Sequence, residues 1–134
     1  MIVFDTSAII DFLRGSNKIK SFVGEAERNN ESVYITVISQ YELLTPVYHR
    51  GLKTEERTIR AFLRRSVLLP LDQKAAEESS RIMGRLFRLS IPVNALDTLI
   101  AGIAITTGAD KIVTLDRDFV QIAKITDIEV VIIS

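Results

Sequence analysis

Cysteine is absent from the 134 residues, and histidine occurs once, as His49. The first absence removes disulfides, thiolate zinc sites and thiol nucleophiles together. The second removes a zinc site built on imidazoles. Charge of one sign is missing too: 17 Lys and Arg balance 17 Asp and Glu, so any attraction for a polyanion has to come from a local patch. The longest apolar stretch, Leu99 to Ile105 including Gly102, falls far short of the roughly 20 residues that span a bilayer, and no membrane association is expected. Met1 leads straight into a strand-like run without a basic leader or cleavage-type motif, so the expected location is cytoplasmic. With 47% hydrophobic and 25% charged residues, the chain reads as a single domain over residues 1–134, long enough to bury roughly two-thirds of its unfolded surface. Linkers, internal repeats and low-complexity segments are lacking.

What is present is a set of oddly placed acids. Asp5 ends the apolar run Ile2-Val3-Phe4, and Asp116 follows Lys111-Ile112-Val113-Thr114-Leu115. Glu42 and Asp97 each open an otherwise apolar helical segment, and Asp97 is the only charge between Arg88 and Asp110. An unpaired buried carboxylate costs several kcal/mol or takes up a proton, so a cationic partner is expected.

Hydrophobic periodicity predicts alternating strands and helices. Residues 1–5 are a buried strand, and Thr6 to Arg14 is a helix with Ile9, Ile10 and Leu13 on one face, stopped by Gly15. Lys18 to Asn29 is a second helix, and the β-branched run Val33 to Val37 a second strand. A helix follows from Ser39, kinked or ended near Pro46; another is capped by Thr54, with Ile59, Phe62 and Leu63 inward. Val67 to Leu71 is a strand. Asp72 caps a long helix through Leu89, with Ala75, Ala76, Ile82, Met83, Leu86 and Phe87 as its apolar stripe. Asn94 opens a helix ending at Gly108, Lys111 to Leu115 is a strand, Phe119 to Lys124 a short helix and Glu129 to Ile133 the last strand. Strands rich in Val and Ile on both pleat faces, alternating with helices, predict a three-layer α/β/α sandwich around a mainly parallel sheet of about five strands.

That architecture gathers the acids. Ligands bind open parallel sheets at the carboxyl ends of the strands, where the following helices begin. Asp5 and Asp116 lie at strand ends. With Ser39 and Asn94 as N-caps, Glu42 and Asp97 occupy the third position of their helices. Converged, the four carboxylates make a hard oxygen site suited to Mg²⁺ or Mn²⁺. Each acid taken alone has a simpler explanation: Ser39 with Glu42 fits a capping box, Asn94 with Asp97 a related cap, and Asp5 and Asp118 can cap the helices at Thr6 and Phe119. Four at matching places on one edge favour the metal site.

The segments Asp5-Thr6-Ser7-Ala8-Ile9-Ile10-Asp11-Phe12-Leu13, Ser39-Gln40-Tyr41-Glu42-Leu43-Leu44, Asp97-Thr98-Leu99-Ile100-Ala101 and Thr114-Leu115-Asp116-Arg117-Asp118-Phe119 resemble the successive motifs of the PIN-domain family. In order and separation they are similar to those of the VapC toxins of VapBC type II toxin-antitoxin systems. The resemblance covers essentially the whole chain. It implies a metal-dependent endoribonuclease, usually a homodimer, encoded with and inhibited by an antitoxin of the VapB type or an analogue. Asp5, Glu42, Asp97 and Asp116 match the family's acidic quartet, and Thr6, Ser7 and Thr114 match hydroxyls that orient those acids. Asp118 matches a variable nearby acid, either auxiliary or only a cap. Thr45-Pro46 departs from the small residues more usual after the Glu motif.

The implied chemistry needs no histidine. A cation held by Asp5, Asp97 and Asp116, directly or through water, lowers the pKa of water, neutralises phosphoryl oxygens and stabilises the leaving alkoxide. Glu42 either ligates the cation or orients the attacking water as a base. The expected products are a 5′-phosphate and a 3′-hydroxyl. For RNA binding, Arg57, Arg60 and Arg64 share one helix face and Arg81, Arg85 and Arg88 another, but Glu56 to Arg60 and Glu77 to Arg81 are ordinary i,i+4 pairs, and both rows read as solvated faces. Arg14 and Arg117, each just after a motif on the active edge, are the better candidates for phosphate contact. Tyr41, Leu44, Phe12 and Leu13 are candidates for an antitoxin groove or a dimer seam. The alternatives are a non-catalytic PIN-type RNA-processing or scaffold module, which has no need of the intact acidic set, and a receiver or phosphatase. Receivers pair adjacent acids after the first strand, whereas Asp5 stands alone after Phe4.

Overall fold

Short strands with apolar side chains on both pleat faces need a helical layer on each side. The computed structural model, which describes residues 1–134, has that arrangement. In chain order it contains β1 (Ile2–Phe4), α1 (Thr6–Leu13), α2 (Asn17–Arg28), β2 (Val33–Thr36), α3 (Val37–Arg50), α4 (Lys53–Arg65), β3 (Leu68–Leu69), α5 (Gln73–Arg88), α6 (Ala95–Thr106), β4 (Lys111–Thr114), α7 (Phe119–Ile125) and β5 (Glu129–Ile132). All neighbouring strands are parallel, in the order β3-β2-β1-β4-β5. Val3 stands opposite Tyr34 on one side and Ile112 on the other. From β1 the chain winds outward through β2 and β3, then returns to lay β4 against the other side of β1. The strand order therefore reverses between β1 and β4, the position where such sheets hold ligands at the carboxyl edge.

The pleat sorts the core into two layers. Val3 and Ile112 face Ile82 and Leu86 of α5, Ile100 and Ile103 of α6, and Phe119 and Ile122 of α7. Ile2, Phe4, Ile35 and Val113 face Ala8 and Ile9 of α1, Ile19 and Ala26 of α2 and Leu43 of α3, with Ile59, Phe62 and Leu63 of α4 packed at the rim. Helices α5 and α6 meet at backbone distance: a methyl at Gly102 would lie 2.0 Å from Ser79 Oγ and 2.7 Å from the Ala75 carbonyl oxygen. This close pairing holds the start of α6, and Asp97 with it, in a fixed place.

Several boundaries differ from the sequence expectation. Helix α3 starts at Val37, with Thr36 as N-cap accepting from Ser39 N–H at 3.3 Å. Ser39 is therefore not a cap, no Ser39–Glu42 capping box forms, and Glu42 is the sixth helical residue rather than the third. Pro46 lies inside α3 without ending it. Proline removes one hydrogen bond, to the Glu42 carbonyl, and the buried Leu43, Leu44 and Val47 keep the helix docked as far as Gly51, which takes the left-handed conformation at φ 66°. The cap of α4 is Leu52, not Thr54. On α5, Ala75, Ile82 and Leu86 are buried as expected, but Ala76 and Phe87 are exposed, and Ser79 completes the inward stripe. β3 is shorter than the Val67 to Leu71 expected of it, with Val67 exposed.

Candidate active site

Asp5 follows β1 directly and caps α1, its Oδ1 accepting from Ala8 N–H at 2.9 Å. Asp116 follows β4 by two residues, so these two acids flank the switch in strand order. Asp97 is the third residue of α6, whose cap Asn94 accepts from Leu96 N–H at 2.8 Å through its side-chain oxygen. Carboxylate oxygens of Asp97, Asp116 and Asp118 lie within 4.8 Å of one another. Burial pushes the Asp97 carboxyl up to about 7, and the negative charges of Asp116, Asp5, Glu42 and Asp118 add to the rise in that order. Asp5, Glu42, Asp116 and Asp118 thus all lie near enough to act on Asp97. The Asp5 carboxyl is also raised, chiefly by burial and to a smaller extent by Asp116, against opposing hydrogen bonds from Thr114, Ala8 and Ser7.

A hydroxyl framework holds these acids in place. Ser7 Oγ donates to Asp5 at 2.8 Å, and Thr114 Oγ1 donates to Asp5 Oδ2 at 2.5 Å. The same two oxygens accept from the backbone that carries Asp116: Leu115 N–H reaches Ser7 Oγ and Asp116 N–H reaches Thr114 Oγ1, each at 2.9 Å. Thr6 Oγ1 donates to Glu42 Oε1 at 2.6 Å, which binds α1 to α3. The sequence reading assigned Thr6, Ser7 and Thr114 to this type of contact, but it missed Ser39, whose Oγ lies 2.9 Å from Thr6 Oγ1. Nothing in the sequence separates that serine from a helix cap.

For Asp118 the sequence left two readings open, an auxiliary acid or a helix cap. Its side chain makes no cap bond to α7. Instead Asp116 Oδ1 accepts from Asp118 N–H at 2.9 Å, a local Asx-type turn that aims both side chains into the acidic group. Asp118 thus stands at the N-cap position of α7 without a side-chain cap bond, and its carboxylate lies with those of Asp97 and Asp116.

No basic side chain neutralises this concentration of charge. The four ion pairs of the molecule, Met1–Asp110, Arg60–Glu56, Arg81–Glu78 and Lys111–Glu31, are all elsewhere. Hard, oxygen-only, part-buried donors crowded with no basic side chain paired to them are the donor set that Mg²⁺ or Mn²⁺ takes, and the residues fit such an ion.

Half of the arginines in the two basic rows are engaged elsewhere. Arg60 is held by Glu56 at 2.7 Å and Tyr48 Oη at 2.6 Å. Arg81 pairs with Glu78 at 3.0 Å rather than with Glu77, and Arg85 donates to the Ile125 carbonyl at 2.7 Å. Arg14 and Arg117 are exposed and form no ion pair. Of the proposed apolar groove, Leu44 is buried and Tyr41 is 61% exposed. Leu13 lines a cavity of about 270 Å³ together with Ile10, Leu43 and Ile59, whereas Phe12 lines a different one beside Phe4 and Phe62.

With the acids at the switch point and their hydroxyl supports in place, comparison with known proteins is decisive. The sequence matches the PIN domain family over residues 2–125. The chain belongs to the PIN domain family. Among proteins of curated function, none matches this PIN domain in sequence. Among solved structures, its fold is similar to that of VapBC2 from Rickettsia felis bound to a DNA fragment from its promoter, with a TM-score of 0.83, 18% identity and 97% of each chain covered. VapBC-1 from nontypeable Haemophilus influenzae gives 0.78 at 22% identity, covering 98% of each chain. VapBC-5 from Mycobacterium tuberculosis, of the VapBC family of toxin-antitoxin systems, gives 0.74 at 22% identity over 98% of this PIN domain and 97% of that chain. No helix of this PIN domain is long and apolar enough to cross a membrane.

Proposed function

We propose that this PIN domain is a Mg²⁺- or Mn²⁺-dependent endoribonuclease and the toxin of a toxin-antitoxin pair. It would act as a homodimer restrained by a VapB-like antitoxin. The observation that carries the reading is the gathering of Asp5, Glu42, Asp116 and Asp118 around Asp97 with no basic side chain paired to any of them. Family membership and the fold likeness to VapBC structures support the same reading.

Asp97, Asp116 and Asp118 would hold the cation, with Asp5 beside them. Bound there, the cation supplies neutralisation of the phosphoryl oxygens and a lowered pKa for water. The other tasks fall to the chain's own groups. Ser7 on Asp5 Oδ1 and Thr114 on Oδ2 occupy both oxygens, so that carboxylate is fixed before substrate arrives. Thr6 holds Glu42 Oε1 and leaves Oε2 without a partner in the protein, available to take a proton from the attacking water. Attack at phosphorus breaks the bond to O3′, which takes a proton from solvent and leaves as a 3′-hydroxyl, with a 5′-phosphate on the other fragment. The 2′-hydroxyl takes no part. A scaffold role would give the crowded, mutually repelling acids no purpose.

The test is cleavage of a small-RNA pool by the purified, partner-free protein with Mg²⁺ or Mn²⁺, with EDTA, and with Asp97→Asn. Cutting at a few sites that EDTA and the variant both abolish is the expected result. A wild-type protein that cuts no RNA with either ion, and whose melting temperature neither ion raises, would overturn the proposal.

A further inference from the structure

Buried helical hydroxyls normally bond back to their own helix. Ser79 donates to the Ala75 carbonyl and Thr98 to the Ala95 carbonyl, each at 2.7 Å. Ser39 is fully buried on α3 and does not do this. Nor does its side chain serve the helix terminus, because Thr36 already accepts from Ser39 N–H. Its only hydrogen-bond partner is Thr6 Oγ1 on α1, at 2.9 Å, and Thr6 in turn contacts Glu42 Oε1 at 2.6 Å.

The direction of this chain follows from counting protons. An ionised carboxylate only accepts, so the single Thr6 hydroxyl proton goes to Glu42. Thr6 Oγ1 is then an acceptor toward Ser39, and Ser39 is the donor. We infer that Ser39 is a positioning residue: through the relay Ser39 to Thr6 to Glu42 it holds the Thr6 hydroxyl in the one rotamer that pins Glu42 Oε1 and turns Oε2 to the crevice. Hydrogen bonds in such a chain polarise and orient one another. The role is directional and depends on the donor proton rather than on the volume of the side chain. Its catalytic consequence rests on the nuclease reading; the relay itself does not.

Two measurements separate these questions. The first is a high-resolution crystal structure of the metal-free protein, wild type and Ser39→Ala. Wild type is expected to show one Glu42 conformer on Thr6, and the variant to show the Thr6 and Glu42 side chains in alternative rotamers. An unchanged, singly ordered Glu42 in Ser39→Ala overturns the relay, whatever the enzyme does. The second is RNA cleavage with Mn²⁺ across the set Ser39→Ala, Thr6→Val and the double variant. Ser39→Ala is expected to lower kcat roughly three- to tenfold, the effect of losing one neutral hydrogen bond, with KM unmoved. In the Thr6→Val background the same change should cost nothing further, because its route to Glu42 is gone. Equal losses in both backgrounds would mark Ser39 as a packing residue and overturn the inference. A wild type that is inert with Mn²⁺ while the crystallographic effect holds would refute the nuclease and leave the relay standing.

Discussion

Thr114 and Asp5, 109 residues apart, are joined by a 2.5 Å hydrogen bond across the β1–β4 pair. Both side chains are buried, and the bond closes the sheet at the point where strand order reverses. Thr114 Oγ1 also accepts from Asp116 N–H, so one hydroxyl fixes the two acids that flank the switch.

Thr114→Val keeps the shape of the side chain and removes both bonds. The loss of a hydrogen bond to a carboxylate and of the acceptor for a backbone N–H predicts destabilisation of about 2 kcal/mol or more. Thr114→Ser, which keeps the hydroxyl, should cost less than half of that. Urea denaturation of the metal-free protein measures both; equal costs would mean that Thr114 acts through packing alone.

Two glycines give opposite expectations. In α6, Gly102→Ala drives a methyl into Ser79 Oγ, the Ala75 carbonyl oxygen and the Ser79 backbone nitrogen, at 2.0, 2.7 and 2.9 Å. Backbone atoms cannot swing aside as a side-chain tip does, so the loss should reach about 2 kcal/mol or more despite alanine's better helix propensity. In α5, a methyl at Gly84 meets nothing within 4 Å, and Gly84→Ala should stabilise by about 0.5–1 kcal/mol. Thermal melts of the two variants beside wild type would decide, and a stable Gly102→Ala would refute the close α5–α6 approach.

The sheet, its helical layers and the nearness of Asp5, Glu42 and Asp116 to Asp97 were legible in the sequence because they depend on patterns it displays directly: β-branched runs, helical spacing, and carboxylates where apolar segments begin or end. The start of α3 was not. Both Thr36 and Ser39 are good caps, and the choice fell to the strand before them, whose pairing with β3 runs through Thr36 opposite Leu69. That choice moved Glu42 inward by a turn and freed the Ser39 hydroxyl. The turn role of Asp116 was equally hidden, since only the folded chain shows its Oδ1 taking the Asp118 N–H.

Metal-free stability should depend on pH with a definite sign. The Asp97 carboxyl sits at about 7 in the folded protein and at the ordinary 3.8 when unfolded. Between those values the folded state holds a proton that the unfolded state has lost, so stability falls as pH rises from about 4 through 7. Asp5, also raised, contributes in the same direction. Asp97→Asn should flatten this slope and melt higher than wild type at pH 8. Melting curves from pH 4 to 8 in EDTA would measure it, and an Asp97→Asn slope as steep as wild type would count against repulsion centred on Asp97.

Asp118 offers the sharpest distinction between a metal ligand and a helix cap. A capping carboxylate stabilises the protein without metal, and its removal typically costs about 1 kcal/mol. Asp118 makes no such bond, and its charge opposes that of Asp97, so Asp118→Asn should leave the metal-free melting temperature unchanged or slightly higher. A ligand, by contrast, shows itself only when the ion is added. Because an ion that binds the folded state alone stabilises it in proportion to RT ln(1 + [L]/Kd), the rise in melting temperature with Mn²⁺ should be smaller in Asp118→Asn than in wild type, and smaller still in Asp116→Asn. A metal-free destabilisation with the Mn²⁺ response intact would instead assign Asp118 to α7, and the cation site would then rest on Asp97 and Asp116 with Asp5 and Glu42 alone.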